Sequence, residues 1–151
     1  MSDWIRKKAE QLRAKQEKLK QSQKIILNAN FWHLLIEQIK SDVIEINSEC
    51  QDILTRPLEC SEAENSVQIA TGSYPAVNIY VRNKGEQIEL ETAIQRTSDV
   101  KFKRQKELLD VRTDGNVTYL SLRDDIFIIP KQASEFILSR ILDVIEKNIE
   151  G

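Results

Sequence analysis

Residues 31–54, FWHLLIEQIKSDVIEINSECQDIL, decide how this chain folds. Trp32, Ile36, Ile39, Val43, Ile46, Cys50 and Ile53 recur at alternating steps of four and three. That spacing lines one apolar seam along an α-helix. Phe31 and Leu35 widen the seam, so its dry face is broad enough to cover a sheet. Glu37, Lys40, Ser41, Asn47, Glu49 and Asp52 fall on the opposite face, where solvent is expected. Pro57 ends the helix from outside, because it lacks an N–H and disfavours helix at Arg56.

Toward the amino terminus the pattern thins. Ser2 is suited to cap a first helix, with Asp3 in its first turn. Ile5, Ala9, Leu12 and Leu19 mark a narrow stripe, with Gln16 where the next apolar residue would fall. The rest, to Lys24, is helix-favouring but polar. The stripe 5–12–19 arrives at Ile26, whereas the later seam extends back to Ala29, Ile25 and Ser22. The two frames differ by one residue near Gln21–Lys24, which predicts a bend, a break or a change of partner there. Asn28-Ala29-Asn30 is a second candidate break. The chain therefore divides into a basic helical arm, 1–24, and a single domain, 25–151.

Toward the carboxy terminus the period becomes two. Residues 58–65 read as a polar, acidic connection. Val67 and Ile69, then Val77, Ile79 and Val81, then Ile88, Leu90, Thr92 and Ile94 alternate with polar or small neighbours, one face dry and one wet. Turns are expected at Gly72–Pro75, Asn83–Gly85, Thr97–Asp99, Asp114–Asn116 and Asp124–Asp125. A strand is expected from Val100 through Val111, another over Val117–Leu122, and a last one over Ile126–Ile129. Pro130 suits the first position of a final helix. That helix carries a broad apolar face from Ala133 to Ile149. Sequential strands with tight turns imply an antiparallel meander. The expected fold is α+β: a long N-terminal helix, five or six strands, and a C-terminal helix, both helices on one sheet face. This helix–meander–helix order is similar to that of many small prokaryotic domains, a likeness of architecture that carries no function.

The whole-chain balance restricts the partners. The 151 residues hold 22 Lys/Arg and 24 Asp/Glu, and the formal net charge of −2 points to none by itself. Its distribution is uneven. Residues 1–24 hold eight cations and three anions, whereas residues 25–65 hold two cations and eight anions. Such a dipole can steer association, including antiparallel pairing of two copies. No secretory h-region and no apolar run of about 20 residues occur, so a cytoplasmic protein without membrane contact is expected. Two cysteines, Cys50 and Cys60, make no zinc set; a disulfide between them stays open in principle, but Cys50 on the helix seam reads as a buried free thiol.

Little in the sequence suggests catalysis. The one histidine, His33, reads as a partly exposed helical residue. Four scattered glycines build no phosphate-cradling loop. The acidic pairs Asp110/Asp114 and Asp124/Asp125 read as turn residues, and Glu89 with Glu91 as a solubilising strand face. No catalytic, cofactor or metal site is expected. The leading reading is a non-catalytic interaction or regulatory module that meets another protein, or a second copy, through Ile5, Leu12 and Leu19 on the arm. The alternative is nucleic-acid binding through the basic arm, with Arg13, and the cluster Lys101, Lys103, Arg104 and Lys106. A third is an enzyme assembled from scattered carboxylates.

Overall fold

The computed structural model describes residues 3–127 and 129–150, excepting the side chains of Ile25 and Glu150. Ser2, expected as a cap, and Ile128, expected in the last strand, lie outside the described residues. The first helix, α1, runs from Asp3 to Glu49. Neither expected break occurs: no Gly or Pro interrupts this stretch, and Asn28 and Asn30 are only weak helix formers. The one-residue frame offset is therefore a change of face on one continuous helix. Among the described residues seven strands follow: β1 (Glu59–Ala63), β2 (Ser66–Ala70), β3 (Ala76–Asn83), β4 (Gln87–Gln95), β5 (Lys103–Asp114), β6 (Val117–Leu122) and β7 (Asp125–Phe127). The second helix, α2 (Pro130–Glu150), starts at the predicted proline.

The sheet is one antiparallel meander in sequence order. Its register puts the dry residues on one face: Val67 opposes Val81 and Ile69 opposes Ile79. Val81 opposes Leu90, Ile88 opposes Leu109, and Val111 opposes Leu120. These side chains are buried with Phe31, Leu35, Ile36, Ile39 and Val43 of α1 and Ala133, Ile137, Leu138, Ile141 and Val144 of α2. Both helices thus cover the same sheet face, and Trp32 and Ile46 pack at its margin. The helices are also tied directly, since the buried Ser134 hydroxyl donates to Asp42 at 2.7 Å.

Three boundaries differ from the sequence reading. First, α1 stops at Glu49, not Leu54, and Ile53 is exposed. Its last turn ends on acidic Glu49 and has no basic residue, an unfavourable match to the negative end of the helix dipole. Asn47, expected at the solvent face, accepts from the Leu58 N–H at 2.7 Å and donates to the Leu58 carbonyl at 3.0 Å. These bonds tie the chain back against α1 just after Pro57. Second, the polar connection is an edge strand, β1, turning into β2 through Asn65 with φ of 60°. Only Cys60 in β1 is half-buried, so alternation could not reveal it. This raises the strand count from the expected five or six to seven. Third, β5 begins at Lys103, and the last turn falls at Arg123–Asp124, where Arg123 takes φ of 55°. The β5–β6 turn is as expected, with Gly115 supplying φ of 63° between Asp114 and Val117.

Candidate functional site

Among the described residues, the first five turns of α1 are exposed almost throughout. Among the described residues the first hydrogen bond from α1 to the sheet is that of Gln23, which donates to Asn116 at 3.1 Å, and Lys20 one turn earlier lines a small cleft with Gly115 and Asn116. Lys24 then approaches Glu86 at 3.8 Å, and the Thr113 hydroxyl bonds Asn28 at 3.2 Å. These contacts join the helix to the β3–β4 and β5–β6 turns. Residues 3–22 extend beyond them, a helical rod of about 30 Å at 1.5 Å per residue.

This rod exposes apolar surface in order. Ile5, Leu12, Leu19 and Ile26 follow at seven-residue steps and are 45%, 57%, 71% and 60% exposed. Seven residues fall about 20° short of two turns, so the four side chains form one slowly winding stripe. The residue after each of the first three is Arg6, Arg13 or Lys20, and Lys8 and Lys15 stand three after the first two. At 100° per residue these five cations border the stripe on both sides. Glu10 and Glu17, five after Ile5 and Leu12, lie toward the back of the rod. All seven charged residues are exposed. Ile5, Leu12 and Leu19, the residues singled out for a partner, share this surface; Trp4, 70% exposed, was missed because it lies beside the stripe frame.

The second basic cluster is divided. Cross-strand register puts Lys103 opposite Ile94 on the helix side of β5, whereas Arg104 and Lys106 point to the open face. Lys101 is exposed in the loop before β5. Arg104 bonds Glu91 at 2.9 Å, and Lys106 approaches Glu89 at 3.6 Å. Arg82 adds contacts to Glu91 at 3.0 Å and Glu89 at 3.4 Å. Glu91 keeps only 7% of its side chain exposed beneath these cations. The Arg82 and Arg104 hydrogen bonds hold its carboxyl below the usual carboxylate range. Its guanidinium partner Arg82 is held above its usual value, chiefly by the same bond. Glu89 and Glu91 are therefore a clamped ion-pair network, not the solubilising face read from the sequence. Arg13 lies out on the arm, beyond the turn that ends β5, while Lys101 precedes its start. Eleven residues of strand, roughly 36 Å, separate Lys103 from Asp114. The residues of the nucleic-acid reading do not converge.

Elsewhere the polar groups largely answer one another. A cleft of about 600 Å³ at the root of the arm is lined by Lys24, Lys84, Glu86, Gln87, Asp110 and Arg112. Within it Gln87 bonds Asp110 at 3.0 Å and Arg112 approaches Asp110 at 3.5 Å. On the helix side of the sheet Arg140 pairs with Glu107 and lies over the Phe136 ring. His33 is exposed. Among the described residues no three His, Cys, Asp or Glu side chains are grouped to hold a metal ion, and no helix is long and apolar enough to cross a membrane. No protein-family model, curated protein or solved structure matches the chain.

Proposed function

We propose that the protein is a non-catalytic interaction module that engages a protein partner through its N-terminal helical arm. The observation that carries this reading is the stripe Ile5–Leu12–Leu19–Ile26, open to water on a helix anchored by the folded domain. An isolated helix of about 20 residues is marginal in water. Here the helix is continued from a buried seam, which presents its stripe at a defined angle. Exposed apolar residues in register on a helix suit the helix-to-groove mode of protein recognition. The nucleic-acid alternative has less support, because Arg104 and Lys106 are committed to Glu91 and Glu89. The cytoplasmic setting belongs to the same reading, supported by the two free thiols of Cys50 and Cys60.

The test is site-specific photo-crosslinking in the cells that make the protein. A photoreactive side chain at Leu12 or Leu19 should give discrete protein adducts, and the same group at Glu17 should give few. Absence of any adduct at Leu12 and Leu19, to itself or to another protein, removes the proposal.

A further inference from the structure

The occupant of the arm can be sought on the chain itself. Between the carboxy-terminal part of α1 and the outer side of α2 runs an open groove. Its first section, about 430 Å³, is lined by Ile46, Cys50, Leu138 and Leu142 among others. Its second, about 290 Å³, shares Cys50 and Leu142 and continues past Ile53 and Ile145 to Ile149. The floor is apolar. The border is acidic: Glu45, Glu49 and Glu135 stand along the first section and Glu146 along the second, against one cation, Lys131. Among the described residues none of these four carboxylates is in an ion pair, and all four are exposed.

We infer that the arm of one copy docks in the α1/α2 groove of a second copy. This rests on the proposed role of the arm and names its partner. Two matches carry it. The first is charge: an apolar stripe edged only by cations meets an apolar trough edged mainly by anions. Arm against arm would bring cations together, and groove against groove anions, so the pairing of unlike surfaces is favoured over either. The second is size. Ile5 to Leu19 spans about 21 Å of helix, and the α2 wall from Lys131 to Ile149 spans about 27 Å. The arm cannot reach the groove of its own copy. Gln23 at its root and Asp42 at the groove's start are nineteen residues apart on one unbroken helix, which separates them by about 28 Å and aims the arm away. Docking is therefore between copies, and a reciprocal pair satisfies both surfaces at once.

The experiment uses the full-length chain and sedimentation velocity with two double variants. One reverses the arm, Arg13→Glu with Lys15→Glu; the other reverses the groove, Glu45→Lys with Glu49→Lys. All four positions are exposed, and thermal melts check that both variants stay folded. The parent should associate reversibly at high micromolar concentration, more weakly as salt rises. Each variant alone should associate at least about tenfold more weakly. Mixing the two should restore association, since each arm then meets a groove of opposite charge. A parent that sediments as a monomer overturns the inference, as does a mixture that fails to recover. If the parent is monomeric yet Leu12 crosslinks to other proteins, the interaction role stands and self-docking is wrong.

Discussion

Leu12 and Ile39 project from opposite sides of the same unbroken helix. They are 27 residues apart, about seven and a half turns at 3.6 residues per turn. Ile39 has no exposed surface and Leu12 is 57% exposed. The same helix therefore fills the core with one face and offers the other, one arm's length away, to solvent.

This relationship predicts a contrast in stability. Ile39→Ala removes a fully buried side chain and should cost about 2–5 kcal/mol through lost transfer energy and a cavity. Leu12→Ala should change the monomer by no more than about 0.5 kcal/mol. Urea midpoints of the two variants against the parent measure both. A small effect at Ile39 would mean that α1 is rotated away from the sheet.

Removing residues 1–20 should leave a folded domain, because the hydrogen bonds from α1 to the sheet start at Gln23 and the residues before it are almost all exposed. Its thermal midpoint should lie within a few degrees of a monomeric parent. Circular dichroism melts of the two chains decide this. Failure of the shortened chain to fold would make the arm part of the core.

Glu91 predicts a pH dependence. Its folded carboxyl titrates below the ordinary value of 4.5 because Arg82 and Arg104 bond its charged form. A lowered folded pKa contributes stability above the unfolded value, and that contribution is lost as pH falls through the folded value. Glu91→Gln should therefore cost about 1–2 kcal/mol at pH 7, where the charged hydrogen bonds are intact. The difference from the parent should start to shrink below about pH 4.5, where the carboxyl of the unfolded chain takes up its proton, and be lost once the native carboxyl is protonated as well. Urea unfolding at pH 7 and at successively lower pH provides the check. A pH-independent difference would assign the effect to packing.

The divided basic cluster predicts weak or absent nucleic-acid binding. Fluorescence anisotropy with single- and double-stranded oligonucleotides should stay flat at physiological salt. Tight, salt-sensitive binding that is lost on Lys103→Glu with Arg104→Glu would restore that alternative.

Local pattern by itself determined the two helices, the meander and most of the core. The three-four spacing of Trp32 to Ile46, the alternation of Val77, Ile79 and Val81, and the turn at Gly115 each express a preference that acts within a few residues. The same spacing drew attention to Ile5, Leu12 and Leu19. Where signals depend on distant neighbours, the sequence was mute or misleading. The strand Glu59–Ala63 forms at an edge by pairing with β2, and its exposed side chains carry no alternation. Asn47 looked like a solvent residue until the chain folded back and gave it the Leu58 amide and carbonyl. Lys103 and Arg104 are adjacent in sequence but lie on opposite faces of β5, because successive strand residues alternate. Glu91 became a clamped carboxylate only when register set Arg82 and Arg104 beside it. The groove between α1 and α2 has residues from two segments some ninety positions apart. Only tertiary packing brings such segments together, since no local preference acts over that separation.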